Sequence, residues 1–171
     1  DVRLPHGQQK SLMSSLYGTT PDLIEAMNLS IETGRFLSDS DVTAHARVVV
    51  IDEGLVNDLF PKGDPLGKKI FVQDTPLTVI GVLEKAPSSM MQAFNVRTVY
   101  IPVTTAQEML NTKVINSLCG VAVSEDALPQ AISDSVKILE KRHSSTSKHY
   151  VGTSLEEQLD MVGNATSVLT T

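Results

Sequence analysis

The side chains best suited to catalysis are carboxylates in the first third of the chain. Asp39, Asp41, Asp52 and Glu53 lie close together in the sequence. Paired carboxylates act as acid and base only where a cleft pushes their pKa values apart. Asp39 and Asp41 fall in a stretch that reads as a polar loop, and Asp52 follows a β-branched run, where a helix cap is expected. We therefore interpret these carboxylates as solvated or capping groups.

The histidines and the single cysteine offer no recognisable catalytic pattern. His6, His45, His143 and His149 include no pair at the i, i+4 spacing of a helical metal site. His143 and His149 flank a Ser/Thr-rich stretch, so a metal site between them is the less favoured alternative to two solvated imidazoles. Cys119 lies in an apolar run without an activating neighbour, which predicts a buried thiol. No catalytic residue, metal or cofactor is assigned.

Composition and motifs exclude several other classes of function. The sequence has no Gly-x-Ser-x-Gly, no Gly-x-Gly-x-x-Gly and no phosphate-binding glycine loop. Its net charge of −6, its 4% aromatic content and the absence of Trp argue against a nucleic-acid partner. No apolar run is long enough to span a membrane, and no signal peptide precedes the first element. Either the protein is cytosolic or its flanking segments were removed.

The elements that would position these residues mix strands with helices. Asp52 is expected to cap one helix, and capping boxes are expected at 105–108 and 154–157. Apolar stripes predict helices at 21–28, 53–60, 105–111, 127–142 and 154–171. Alternating or β-branched runs predict strands at 11–17, 47–51, 69–72, 77–83, 96–101, 118–123 and 148–152.

This order of elements predicts an α+β fold with two lobes. The segment 38–113 would form a lobe inserted into an outer β-α-β unit, which is built from 1–37 and 114–171. The arrangement requires strand 118–123 to pair with strand 11–17, and not with the sheet formed by 47–101.

The most specific signal is an ordered string of segments. They are GTTPDLIEAMNLSIETGRFLSDSDV (18–42), RVVVIDEGLVNDLF (47–60), GDPLGKKIFV (63–72), LTVIGVL (77–83), VYIPVTTAQEML (99–110), LCGVAVSEDALPQAISDSVKILEKRH (118–143) and the terminal SLEEQLDMVGNATSVLTT. In this order and spacing they resemble the periplasmic core domain of MacB-type ABC transporter permeases. The resemblance covers nearly the whole chain.

The residues that carry the resemblance are of types that shape the backbone and do not catalyse reactions. Glycines in them permit a turn or a close backbone approach, and prolines fix φ at turns and element ends. The segment 64–67 is expected to form a turn in which the Asp carboxylate accepts a downstream amide and Gly takes positive φ. These motif positions are Gly18, Pro21, Gly34, Asp64, Pro65, Gly67, Gly81 and Pro102.

The resemblance implies a porter-like subdomain, 1–37 with 114–171, and an inserted Sabre-like subdomain, 38–113. It also implies a non-catalytic domain on the extracytoplasmic side of a bacterial cell membrane. The parent would be a homodimeric efflux permease, driven by an ABC ATPase, whose outer domain relays movement and docks a membrane-fusion partner. The alternative is a related permease that handles lipoproteins or activates cell-wall hydrolases.

Two further expectations concern assembly. The terminal helix would lead to the membrane as a coupling lever, and the residues singled out in it are Leu155, Leu159, Val162 and Gly163. The isolated domain is expected to be a monomer, because dimer contacts in such permeases are organised largely by membrane helices and ATPase.

Overall fold

Strands form wherever the sequence carries a β-branched or alternating apolar run that finds a pairing partner. The structure is a computed structural model, and it describes residues 1–5, 14–84, 97–143, 150–154 and 157. Within these residues the strands are β1 Val2–Arg3, β2 Ser14–Thr19, β3 Ile31–Gly34, β4 Val48–Asp52, β5 Lys69–Val72, β6 Thr75–Leu83 and β7 Arg97–Pro102. The helices are α1 Leu23–Ala26, α2 Asp39–Thr43, α3 Glu53–Leu59, α4 Val103–Met109 and α5 Leu128–Arg142. The predicted α+β class is confirmed.

All the strands just named join one mixed sheet in the order β1-β5-β6-β4-β7-β2, with β3 also pairing with β6. The central strand β4 runs parallel to β6 and antiparallel to β7, and β2 runs parallel to β7. β6 is long because it serves two partners along one side. Its start pairs with β5 and its end with β3, both antiparallel.

Both faces of the central sheet are buried. Successive side chains of a strand point to opposite faces. Val49 and Ile51 of β4 therefore pack on one side, against Leu55 of α3 and Ala106 of α4. Val50 packs on the other side with Phe36, Leu37 and Leu83. This explains the unbroken β-branched run at 48–51, because a strand covered on both faces needs apolar residues at every position.

The structure divides the chain differently from the predicted lobes. The strands β1 to β3, from 1–37, lie in the same sheet as β4 to β7, from 38–113. The two compact units are Asp1–Cys119 and Gly120–Thr171. The boundaries expected near 37 and 113 therefore do not coincide with this division.

The strand predicted over 118–123 is wrong. These residues are irregular, and β2 pairs with β7 rather than with them. A β-branched run becomes a strand only when an edge is available to it, and local composition does not specify that edge. Residues 150–152 of the predicted strand 148–152 are likewise irregular. Residues 11–13, 86–95, 148–149 and most of 154–171 lie outside the described residues.

Two local expectations also need correction. The stretch 38–41 begins a helix, α2, and is not a loop, because Ser38 and Asp41 form a reciprocal capping box. Helix α4 begins at Val103, directly after its N-cap Pro102, so the capping box expected from Thr105 does not form. Thr105 is instead buried, and its hydroxyl donates to the Ala46 carbonyl at 2.9 Å. A tertiary contact has taken the place of the local cap.

Candidate functional site

Two motif glycines, Gly34 and Gly81, are cross-strand partners where β3 pairs with β6. Gly34 has φ +80°, and a Cβ there would collide with the carbonyl oxygen of Ile80. A Cβ on Gly81 would collide with the carbonyl of Arg35, whose amide donates to Ile80 O at 3.0 Å. The pairing register of β4 and β6 shifts beside this point, between Val49 and Val50. Both glycines therefore allow two backbones to approach more closely than side chains permit.

Three other motif positions lie where β2 and β7 end. Gly18 of β2 lies against α4, where a Cβ would collide with the side chain of Ala106. Pro21 belongs to the turn between β2 and α1. Pro102 is both the last residue of β7 and the N-cap of α4. Gly18 sets how closely α4 packs on the sheet, and Pro102 sets where that helix starts.

The motif turn at 64–67 leads into β5. The Asp64 carboxylate accepts the amide of Leu66 at 2.9 Å, and Gly67 has φ +71°. Pro65 is buried, while Gly67 is exposed. The amide of Gly67 donates to the carbonyl of Val79 at 2.8 Å. The turn is therefore fixed by its own side chain and by β6.

Arg35 and Asp41 form a bidentate ion pair that joins the residue after β3 to helix α2. Arg35 Nη1 lies 2.6 Å from Asp41 Oδ2, and Nη2 lies 3.0 Å from Oδ1. The Ser38 amide and hydroxyl also donate to Oδ2, at 2.9 and 2.6 Å. The Arg35 hydrogen bond lowers the pKa of Asp41 to about 2 against the opposing effect of burial, with further help from Ser38. The same bond raises the pKa of Arg35.

A second polar network lies at the start of α3. Asp52 caps this helix, as predicted, by accepting the Leu55 amide at 2.7 Å, and it also accepts the amide of Thr98. Burial raises the pKa of Asp52 in spite of these two bonds. Nearby, Arg97 Nε lies 2.7 Å from Asp58 Oδ2, and Gly54 leaves room for the Arg97 side chain. The network ties α3 to β7.

His45 takes part in a third set of contacts, between the loop after α2 and helix α4. Its Nδ1 lies 2.5 Å from Glu108 Oε1. The Thr104 hydroxyl donates to the Val42 carbonyl at 2.7 Å, beside the bond from Thr105. Three side chains of one short helix thus hold the last turn of α2 and the loop before β4.

The remaining candidate residues are not brought together. The rings of His143 and Tyr150 lie at 45° to each other with centroids 5.9 Å apart, and His6 and His149 lie outside the described residues. Cys119 is exposed, so its predicted burial is wrong. Its neighbours form no strand, and nothing covers the thiol.

The polar side chains described above make contacts that hold elements of the fold together. In the ranges that the structure describes, no group of three His, Cys, Asp or Glu residues could hold a metal ion. Over the same residues, every buried side-chain nitrogen or oxygen has a hydrogen-bond partner. Nor does any described helix have the length and apolar character needed to cross a bilayer. Asp41, Asp52 and Asp58 are each engaged in holding two elements together.

Exposed apolar side chains follow α4. In the unit Asp1–Cys119 they are Leu110, Val114, Ile115 and Leu118, with 51 to 72% of each exposed. In the unit Gly120–Thr171, Val121 and Val123 are exposed by 73 and 96%. Where such side chains form one patch, they are typical of interaction sites.

The coupling residues Leu155, Leu159, Val162 and Gly163 lie outside the described residues. The start of their predicted helix is described. Glu157 accepts the Ser154 amide and donates its own amide to the Ser154 hydroxyl, both at 3.1 Å. This is the expected capping box.

Sequence reasoning missed the paired roles of Arg35 with Asp41 and of Arg97 with Asp58. A signal existed for Asp41, because Ser38 precedes it by three residues in the spacing of a capping box. Arg97 and Asp58 are 39 residues apart. No local pattern connects them.

In the described residues, the buried side-chain nitrogens and oxygens of this α+β unit all have hydrogen-bond partners. The family model of the MacB-like periplasmic core domain matches residues 3–139. The chain belongs to this family, and it is an extracytoplasmic domain of a MacB-like ABC transporter permease. The family is a domain of transporter permeases and not a catalytic family.

Relatives and solved structures agree with this assignment. The macrolide export ATP-binding/permease protein MacB of Neisseria meningitidis is 32% identical over 143 residues, 84% of this chain and 22% of that protein. The ABC transporter permease YknZ of Bacillus subtilis is 25% identical over 158 residues, 92% of this chain and 39% of that protein. The chain thus spans less than half of the length of these relatives.

The fold is shared with two solved domains. One is the extracellular domain of YknZ from Gram-positive bacteria, with a TM-score of 0.70, 21% identity and coverage of 82% of this chain and 70% of that one. The other is the periplasmic region of MacB from Actinobacillus actinomycetemcomitans, with a TM-score of 0.68, 22% identity and coverage of 95% and 71%.

Proposed function

We propose that this domain couples ATP-driven movement of an exporter to export, and that it docks a membrane-fusion partner. The observation that carries the proposal is the family match along residues 3–139, together with a named relative that is a macrolide export ATP-binding/permease protein. The chemistry would then belong to an ABC ATPase in the parent, which we infer to be a homodimer. The domain itself would bind and transmit.

The contacts within the unit Asp1–Cys119 support a transmitting role. An element that relays movement has to move as one body, because a soft joint absorbs displacement. β6 joins three strands, and Arg35 with Asp41 fastens β3 to α2. His45 with Glu108 fastens the following loop to α4. These contacts oppose independent movement of the elements.

Exposed apolar residues support a docking role. Interfaces are depleted in charge at their centres, and the segment after α4 exposes Val114, Ile115 and Leu118. Surface of this kind suits a protein partner better than a small polar solute.

The test is photo-crosslinking of the parent permease in cells. A photoreactive amino acid replaces Val114 or Leu118, and Glu32 in the control. We expect the first two positions to capture a membrane-fusion protein, identified by mass spectrometry, and the control to capture much less. Capture of a lipoprotein carrier or a cell-wall hydrolase would support the related permease instead. Reading the genes beside the parent gene gives an independent check of the same choice.

A further inference from the structure

Strand β2 lies at one end of the sheet, and its outer edge faces no other described strand. It pairs in parallel with β7 along all six of its residues. A strand in this place presents a row of main-chain N–H and C=O groups that have no partner in the sheet. No residue of β2 is buried, and the exposed Gly18 has only main chain to expose. The backbone of β2 is therefore accessible to another polypeptide.

The other outer strands carry features that discourage such pairing, and β2 does not. β1 has only two residues, one of them Arg3. β3 carries Glu32 and an irregular register with β6 between Ile31 and Thr33. Short length, charge and bulges are the usual means by which proteins protect edge strands from other chains. β2 has the sequence SSLYGT, without charge, without proline and with an unbroken register against β7. Of these three strands, it is the one suited to accept another strand.

The side chains of β2 add a fixed contact surface to this edge. Tyr17 stacks on its register partner Tyr100, with ring centroids 5.4 Å apart and 19° between the ring planes. The ring of Tyr100 in turn lies 6.1 Å from that of Phe36. Tyr17 thus belongs to a row of three rings, although 42% of it is exposed. The Cβ of a residue opposite it on an added strand would lie about 5 Å away, where aromatic or β-branched residues form favourable cross-strand pairs.

We propose that β2 accepts an extended, uncharged segment of the protein partner as an additional strand of the sheet, a proposal that rests on the proposed docking function. An extended peptide is the ligand that can satisfy a row of main-chain groups at a sheet edge. The segment should carry no charge beside β2, because β2 has no charged side chain to pair with one that becomes buried. A second copy of this chain is a poorer occupant, because two copies with a net charge of −6 repel each other.

The position of β2 also fits the docking surface proposed above. Gly18 of β2 lies against Ala106 of α4. The exposed Val114, Ile115 and Leu118 follow this same helix. The edge of β2 therefore lies beside the helix that leads to the proposed docking residues.

The experiment is amide hydrogen exchange of the intact purified permease, with and without its purified membrane-fusion protein. An added strand gives the outward amides of β2 acceptors, so we expect exchange in residues 14–19 to slow by about tenfold or more. Exchange in residues 31–34 of β3 should change by less than about twofold, because that edge is protected by its charge and its irregular register.

A charge placed on β2 should interfere with the added strand. The test variant is Ser15→Lys, and the matched control is Thr33→Lys, which makes the same charge change on the exposed β3. We expect the test variant to weaken binding of the fusion protein by about tenfold and the control to leave it within about twofold. Hydrogen exchange in β4 shows that each variant is folded, and the wild-type exchange experiment stands without either variant.

Binding of the fusion protein without slower exchange in residues 14–19 overturns the proposal and leaves the docking function intact. Wild-type affinity of a folded Ser15→Lys variant, or equal weakening by both variants, overturns it as well. A wild-type permease that binds no fusion protein overturns both proposals. The 171-residue chain alone supplies the last arm. If exchange in β2 slows as the concentration of that chain is raised, a second copy occupies the edge and the proposal is wrong.

Discussion

The Asp41 carboxylate accepts four hydrogen bonds. Two guanidinium nitrogens and two groups of Ser38 share its carboxylate. Because the Arg35 side chain is half exposed, solvent weakens its charge interaction with Asp41. The stabilising effect of the pair therefore depends more on its hydrogen-bond geometry than on charge alone. Because the folded pKa of Asp41 lies near 2, below its ordinary value of 3.8, the charged form stabilises the fold. This contribution is present above about pH 4 and is lost as the pH falls towards 2.

Replacing Asp41 by Asn should therefore destabilise the domain and change its response to acid. We expect a loss of about 1–2 kcal/mol in the free energy of unfolding at neutral pH, and a smaller further loss on acidification than in the wild type. Urea denaturation at about pH 7 and about pH 3 measures both effects. Asp39→Asn on the exposed side of the same helix should cost less than about 0.5 kcal/mol. Identical behaviour of the two variants would refute a special role for Asp41.

Side-chain roles could be predicted where the partner is local. The Asp52 cap and the Ser154 capping box each join residues three positions apart, and both form. Arg97 and Asp58 become neighbours only because β7 lies beside β4, so no local pattern identifies them. The exposure of Cys119 could not be predicted either, because burial of a side chain depends on tertiary contacts that the local sequence does not specify.

At the scale of elements, β6 organises the sheet. It pairs with β5, β3 and β4, and the step from β5 to β3 along one side requires close backbone contact. Gly34 and Gly81 provide that contact. A side chain at either position has to push β3 away from β6, so the strain falls on the pairing itself.

Gly81→Ala should consequently be far more damaging than an ordinary Gly→Ala change. Its Cβ meets a backbone carbonyl, which cannot rotate away, and we expect a loss of about 3 kcal/mol or more. Gly63→Ala is the matched control, because its Cβ would meet nothing within 4 Å, and it should change stability by less than about 1 kcal/mol. Thermal unfolding gives the comparison, and amide exchange in β3 should accelerate in the first variant. Equal melting temperatures would show that the pairing of β3 with β6 can relax.

The sequence predicted the type of each helix or strand better than it predicted which strands pair. Strand 47–51, the hairpin of 69–72 with 77–83 and helix 127–142 carry strong local periodicity, and all are present. Pairing depends on which edges remain free once the chain has collapsed. The partition into outer and inserted lobes rested on one pairing, and that pairing is absent among the described strands.

At the scale of the molecule, surface charge bears on self-association. The net charge of −6 makes two copies repel each other modestly at low salt. Dimer contacts of the parent would come largely from membrane helices and ATPase. We therefore expect the isolated chain to be mostly monomeric at micromolar concentration. Sedimentation in physiological salt measures this directly, and a tight dimer there would contradict the expectation.

The last prediction concerns the helix expected over residues 154–171. The residues Leu155, Leu159 and Val162 keep one apolar face in sequence, which predicts a continuous helix that could act as a lever. A helix transmits displacement only if it has no break. Gly163→Pro in the intact permease removes a backbone donor and kinks a helix at that point, at a cost of about 3 kcal/mol or more.

We expect Gly163→Pro to abolish export while the ATPase rate of the purified permease and its membrane insertion stay close to those of the wild type. Gly163→Ala is the matched control, because it favours the helix by about 1 kcal/mol and should preserve export. Drug or peptide resistance of cells measures export, and ATPase assays on purified protein measure the motor. If the helix transmits movement, breaking it should leave ATP hydrolysis intact while export is lost. If the proline variant exports as well as the wild type, the segment only tethers the domain, and the movement has to reach it by another route.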